Sequence, residues 1–309
     1  MRHLIPTASL LAAALLLAAC KPASFTTPQT AAPKADTAPA DAASAQAGGP
    51  TADDNLNAVL WVQASAEYRA STETIFRAAA DALDAALAEP NWDALVPTER
   101  DNAGATAGLK PAVIMDIDET VLDNSPYQAR LIRDQAQYSD PTWDLWVAEK
   151  KARAVPGVVD FARAAAEKGV TILYLSNRAV HLKDATLANL KAVGMPVASE
   201  DVFLGLGTVV PGCEQNGSEK NCRRRLAGQK YRVLMQFGDQ LGDFVEVTAN
   251  TPDGRAGLLE EYGDWFGERW WMLPNPTYGG WEPALFNNDW TRPQAERREI
   301  KWQALEFED

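Results

Sequence analysis

Histidine is nearly absent from this chain. There are two in 309 residues, and His3 sits in a leading segment that reads as removable, which leaves His181 alone. That scarcity argues against chemistry built on a nucleophilic histidine beside an arginine with a second catalytic histidine or aspartate, and against dinuclear metal centres that need several imidazoles. Cysteine is scarce too, with Cys20, Cys213 and Cys222 only. With one histidine to add, these do not suit a zinc site. Positive charge is in deficit, at 29 Lys and Arg against 42 Asp and Glu for a net charge of −13. This argues against a nucleic-acid partner. An anionic ligand would need a local basic cluster, and Lys220 to Arg225 supplies one. Long apolar runs are missing as well. The stretch Leu10 to Ala19 is too short to span a bilayer comfortably.

That stretch follows Arg2 and His3 and ends in Leu17-Ala18-Ala19-Cys20, so residues 1–19 read as an export signal. The ending resembles the bacterial lipobox, in which the cysteine is lipidated and becomes the mature N-terminus. The alternatives are an ordinary signal peptide cut after Ala19 or an uncleaved anchor. Lys21, rather than Asp, follows the cysteine, which resembles the sorting pattern for the outer membrane. The expectation is a lipid-anchored protein with its folded part in the periplasm or at the cell surface. Residues 20–52 hold little but Ala, Pro, Thr, Ser, Gln and Gly, with Phe25 the one large apolar side chain. Such a segment cannot bury enough surface to offset its ordering entropy, so it reads as a tether. Residues 53–309 remain as the folded part, a length suited to one domain with insertions or a core with a cap. Cys213 and Cys222 form an even pair, expected to be bridged in an oxidising compartment, with two free thiols as the alternative.

Apolar positions from Leu56 to Leu87 recur at helical spacing. They predict one or two helices, with a break near Arg69-Ala70-Ser71. Strands are expected at 113–118, 170–175, 201–204 and 231–237. Helices are expected at 127–135, 143–150, 158–168, 182–192 and 220–228. Residues 258–309, rich in Trp, Pro and Gly, resist assignment. The alternation predicts an α/β fold, a parallel sheet with helices on both faces. The helical addition 53–110 and the insertions would form a smaller, mainly helical cap on a core of about 111–250, followed by a C-terminal segment 251–309. In open sheets of this kind, ligands sit beyond the carboxyl ends of the strands.

Asp116-Ile117-Asp118-Glu119-Thr120 follows the apolar run Ala112 to Met115. Burying two carboxylates so close is costly without a cation or a shared proton. Two later strands end at Ser176-Asn177-Arg178 and at Gly238-Asp239, the latter followed by Asp243. Together these describe a phosphoryl-transfer site. Asp116 would attack phosphorus and Asp118 would serve as acid and base. Thr120, Ser176, Asn177 and Lys220 would hold phosphate oxygens. Asp116 and Asp239 offer hard oxygen ligands to a divalent cation. A calcium loop is the alternative, but the glycine and late glutamate of an EF-hand are missing. Glu119 reads as structural, Asp123-Asn124 as a turn, Arg223-Arg224-Arg225 as a largely solvated face and His181 as a surface residue.

The motifs Asp116 to Tyr127 (DIDETVLDNSPY), Ala154-Val155-Pro156-Gly157, Ser176-Asn177-Arg178, Gly238-Asp239 and Asp243-Phe244 resemble the haloacid dehalogenase superfamily. More narrowly they are similar to the class C bacterial acid phosphatases, lipoproteins with four signature aspartates. The resemblance runs from about Leu56 to Trp281. It implies a haloacid-dehalogenase-like Rossmannoid sheet and hydrolysis of small phosphomonoesters, nucleoside 5′-monophosphates and aryl phosphates among them, with Mg2+. It implies Asp116, Asp239 and the main-chain carbonyl of Asp118 as metal ligands, with Asp243 supporting them. Lys220 matches the phosphate-binding lysine, with Lys230 as competitor and Arg223 or Arg224 as a further contributor. Trp143 and Tyr278 match an aromatic clamp on the leaving group, with plain packing as the alternative. The resemblance also suggests a homodimer. One departure stands out: the usual Asn-Leu-Asp between the last two aspartates reads Gln240-Leu241-Gly242 here, which should alter hydrogen bonding around the metal. Phosphotransfer to an alcohol, and a non-catalytic binding lipoprotein, are the rival functions.

Overall fold

A computed structural model describes residues 50–100, 106 and 108–308. The export signal, Cys20 and all of the tether before residue 50 lie outside the described residues. Among the described residues there are seven strands, β1 (Lys110–Met115), β2 (Leu122–Asp123), β3 (Arg153–Ala154), β4 (Thr171–Ala179), β5 (Phe203–Leu206), β6 (Tyr231–Gly238) and β7 (Trp270–Met272). Five of them form one sheet in the order β5-β4-β1-β6-β7. Every pairing in that sheet is parallel. The chain runs outward from the central β1 first to one side and then to the other. A crevice therefore opens at the carboxyl end of β1, where such folds place their ligands.

Central position explains composition. Ala112, Val113, Ile114 and Met115 of β1 are all at most 2% exposed, as a strand covered on both faces requires. Neighbours along β6 point to opposite faces. Phe237 stacks on Phe76 at 5.4 Å between ring centroids and lies 4.7 Å from Phe161. Gln236, facing the other way, donates to the Ala94 carbonyl at 2.7 Å. One face is thus covered by the Ala66–Ala88 and Val158–Glu167 helices. The other is covered by the Asp93–Val96 segment and its neighbours.

The α/β class and the parallel sheet stand as expected, and the details differ in four places. The break between the first two helices falls at Ser65, not near Arg69, because the Ser65 hydroxyl caps the second helix by accepting the Tyr68 amide at 3.0 Å. That second helix, Ala66–Ala88, packs on the sheet and belongs to the main core. Only the shorter Leu56–Ala64 helix leans on the insertion helix Ser125–Asp134. β4 runs past residue 175 to Ala179, so Ser176, Asn177 and Arg178 are strand residues. The C-terminal segment contributes a helix (Pro252–Tyr262), the edge strand β7 and a last helix (Gln294–Gln303).

Replacing Phe76 with Ala should cost about 3–5 kcal/mol in urea denaturation, the usual loss for a buried aromatic. A loss below about 1 kcal/mol would show that this helix is not part of the core.

Candidate active site

Asp116 is the first residue beyond β1, its amide donating to the Phe237 carbonyl of β6 at 2.9 Å. The chain then folds into a tight turn. The amides of Val121 and Leu122 both return to the Ile117 carbonyl, at 2.8 and 2.7 Å. Glu119 takes a left-handed backbone there, with φ 62°. This turn sends the two aspartates different ways. Asp116 is 6% exposed and faces Lys220, which donates to its Oδ1. The Asp118 carboxylate is more open, and its Oδ1 accepts three hydrogen bonds. Two come from Arg178, at 2.8 and 2.9 Å, and one from Asn124 Nδ2, at 2.8 Å. Oδ2 has no hydrogen bond among the described residues.

Lys220 lies just before the Asn221–Lys230 helix and is 5% exposed. Its ammonium also donates to Asp243 Oδ1 at 2.7 Å. Lys230, the sequence competitor, is exposed at the far end of that helix, so Lys220 is the lysine that meets the acids. Asp243 Oδ2 accepts the amides of Asp239 and Gln240, at 3.0 and 2.9 Å. That loop closes only over a glycine: a Cβ at Gly238 would lie 2.3 Å from the Asp243 Cβ. Asp243 thus shapes the loop that presents Asp239. Carboxylate oxygens of Asp116, Asp239 and Asp243 lie within 4.8 Å of one another. The Asp118 carboxylate is not in this group. An all-oxygen donor set with no histidine or cysteine fits a hard divalent cation.

Burial governs the charge state. It drives the Asp116 carboxyl well above the ordinary range, although Lys220 pulls the other way. Asp239 is raised to about 7, by burial first and by Asp243 second. Burial alone would lower the Lys220 ammonium, yet Asp116 and Asp243 more than offset it and the net shift is upward. The site holds more carboxylates than one ammonium neutralises, the condition a cation relieves.

The phosphate candidates divide. Asn177 lines the cleft, and its Oδ1 accepts from Arg223 at 2.8 Å. The Ser176 hydroxyl is fully buried and accepts the Arg178 amide at 3.0 Å. Thr120 is likewise buried, its hydroxyl 3.4 Å from Asp239 Oδ1. The solvated reading of Arg223-Arg224-Arg225 does not hold. Arg223 and Arg224 are 0% exposed and Arg225 is half-buried. Arg224 is paired with Glu99 at 2.6 Å through two guanidinium nitrogens and donates to the Gly242 carbonyl at 2.8 Å, steadying the loop between Asp239 and Asp243 from behind. A run of three arginines gives no sign of this, because the partner Glu99 is 125 residues away.

Arg178 and Asn124 were not assigned roles by sequence reasoning, yet they orient Asp118. Their position inside the motifs was the available signal. Trp143 and Tyr278 both line the cleft. Trp143 packs edge-on against Tyr127 at 5.1 Å, with the Arg178 guanidinium 5.5 Å over its ring. The Tyr278 hydroxyl donates to Glu119, whose other oxygen accepts the Asn124 amide at 2.8 Å. Glu119 therefore ties the aromatic wall to the catalytic turn. Gln240 adds a second tie. It donates to Asp239 Oδ2 at 2.8 Å and to the Tyr278 carbonyl at 3.2 Å, and it accepts the Gly280 amide at 2.9 Å. Gly279 is required beside it, since a Cβ there would come 2.4 Å from Gln240 Oε1. Cys213 and Cys222 are joined by a disulfide that spans the Lys220 loop. His181 is exposed and hydrogen-bonded to Asp144 at 2.8 Å.

A five-stranded parallel sheet flanked by helices, with aspartates at the ends of its central strands, matches the Rossmannoid fold of the haloacid dehalogenase kind. The chain matches the family model described as HAD superfamily, subfamily IIIB (acid phosphatase) over residues 12–281 and belongs to that family. It is also similar to the crystal structure of the class C acid phosphatase from Bacillus anthracis with tungstate bound. That match has a TM-score of 0.71 and 34% identity, covering 82% of this chain and 98% of the other. The resemblance read from the motifs is thereby borne out. Among curated proteins, the stem 31 kDa glycoprotein of Glycine max is 28% identical over 166 residues, 53% of this chain and 58% of that protein. Acid phosphatase 1 of Solanum lycopersicum is 23% identical over 165 residues, 53% of this chain and 57% of its own length. The matches thus span under two thirds of these relatives.

Two outcomes follow. A folded-state pKa above the unfolded one means that the native state holds the extra proton between the two values. Without a cation, the acid cluster should therefore lose stability as pH rises from about 4 to 7, and Mg2+ should raise the melting temperature more at pH 8 than at pH 5. Melts with EDTA or Mg2+ across that range check this, and an Mg2+ effect that shrinks with rising pH would contradict it. Replacing Gln240 with the shorter Asn should speed hydrogen exchange at the Gly280 amide. Unchanged protection there would show that the amide does not depend on this side chain.

Proposed function

We propose that this chain is an acid phosphatase that hydrolyses phosphomonoesters through an aspartyl-phosphate intermediate. The observation that carries the reading is the placement of Asp116. Its carboxylate stands at the end of the central strand, against the Lys220 ammonium and beside Asp239 and Asp243. Asp116 attacks phosphorus, and the bond from phosphorus to the leaving oxygen breaks. Asp118 gives that oxygen its proton, then takes one from the water that cleaves the acyl phosphate. Arg178 and Asn124 fix Asp118 through Oδ1, which leaves Oδ2 for the proton. Lys220 and Asn177 hold phosphate oxygens as charge develops. Mg2+, held by Asp116 and Asp239 with the Asp118 carbonyl, would neutralise phosphate charge.

The need for a proton on Asp118 favours an acidic optimum. Trp143 and Tyr278 on the cleft wall support planar leaving groups, as in nucleoside 5′-monophosphates and aryl phosphates. The Cys213–Cys222 bridge supports an oxidising compartment. With the lipobox resemblance at Cys20, that favours a lipid-anchored protein of the outer membrane with its catalytic part in the periplasm or at the surface. The homodimer expectation rests on the resemblance alone.

An aryl-phosphate assay with Mg2+ and with EDTA tests the reading, and EDTA should abolish turnover. Replacing Asp116 with Asn should lower kcat at least about thousandfold while the melt stays cooperative. Full activity in that variant would remove the mechanism, and no activity in the unaltered protein would leave a binding protein.

A further inference from the structure

The cleft is larger than one phosphate ester requires. Its volume of about 1550 Å3 exceeds the roughly 300–1,000 Å3 of common small-ligand sites. Away from the acids it is lined by four cationic side chains, Arg255, Arg297, Arg298 and Lys301. Two of these are spoken for. Arg298 pairs with Asp54 at 2.8 Å and Lys301 with Glu282 at 3.1 Å. Among the described residues, Arg255 and Arg297 have no carboxylate partner.

Arg297 is 9% exposed. Its Nη2 donates to Gln137 at 2.9 Å, its guanidinium lies 5.0 Å over the Trp290 ring, and its buried Nε has no partner among the described residues. Arg255 is half-buried and donates to Asn250 Oδ1 at 3.1 Å. Burial pushes its guanidinium pKa down, with no acid opposing the shift. A relay of contacts links the segments that carry the pair: Asn250, the partner of Arg255, donates through Nδ2 to Asn288 Oδ1 at 2.5 Å, and Trp290 under Arg297 follows two residues on. A desolvated guanidinium without a counter-charge is costly, and a bound anion would repay it.

Each arginine also contacts a segment that carries one of the cleft's aromatics. A Cβ at Gly280 would lie 2.9 Å from Arg255 Nη1, and Tyr278 is two residues before it. On the other side Arg297 meets Gln137, whose neighbour Tyr138 lies 6.2 Å from Trp143. We propose that Arg255 and Arg297 form a second anion subsite, which takes a phosphate carried on the leaving group of the scissile ester. The ligand class is a planar, nucleoside-like leaving group with two separate phosphates. The orientation of that ligand rests on the phosphatase reading of the acids.

Calorimetry on the Asp116→Asn protein with Mg2+ tests this, using adenosine 5′-monophosphate and adenosine 3′,5′-bisphosphate as paired probes. The bisphosphate should bind about tenfold more tightly, as one added charge-assisted contact allows. Arg255→Gln and Arg297→Gln should each narrow that ratio severalfold. Equal affinities, or a ratio untouched in both variants, would overturn the subsite. If Arg297→Gln does not fold, Arg255→Gln and the ligand pair decide. Wild-type protein that hydrolyses neither ester would sink the phosphatase reading, while the affinity ratio would still report on the subsite.

Discussion

The structure turns on a charge imbalance at the end of one strand. The buried Asp116 and Asp243 and the half-buried Asp239 share one space with a single ammonium, Lys220. Such a cluster is unfavourable on its own terms, because burial penalises every ionised carboxylate. It is tolerated because the surroundings are over-determined. Asp243 is held by two loop amides and by Lys220. The Arg224–Glu99 pair braces Gly242 behind it. The residual negative charge is what a cation and a polarised phosphate would exploit. Strain at functional sites offset by rigid surroundings is the general pattern.

The same logic extends outward along the cleft. Glu119 and Gln240 are not placed to react, yet each fastens Tyr278 to a part of the acid cluster. The wall that would meet a leaving group is therefore coupled to the groups that would act on phosphorus. Gln240 is the more telling of the two. As a departure from the family's asparagine it looks conservative, but its length lets one amide reach Asp239, Tyr278 and Gly280 together. Gly279 makes room for it.

Much of this was legible beforehand. Strands at β1, β4 and β6 show as apolar runs ended by polar residues, because a strand buried on both faces can hold little else. The aspartates and their order identified the family. Other features were hidden by distance in sequence. Ser176 looked like a phosphate ligand because it follows a strand pattern. β4 continues through it, and its buried hydroxyl accepts the Arg178 amide, a contact no sequence pattern shows. Arg223 and Arg224 looked solvated because charge runs usually are. Their partners Ser176, Asn177 and Glu99 come from other elements. The Ala66–Ala88 helix looked like part of a cap because it precedes the first strand. Its apolar stripe instead matches Phe161 and Phe237.

By itself, the sequence determined the fold class, the parallel sheet, the order of the catalytic motifs and the chemistry open to a chain with so little histidine. These follow from local pattern and residue type, which need no knowledge of neighbours. Tertiary structure alone decided which lysine faces Asp116, which hydroxyls are buried, and how Asp118 is oriented. It also decided which arginines are left uncompensated in the cleft. Each of these depends on side chains brought together from distant positions, since burial and pairing are properties of the folded neighbourhood and not of the residue.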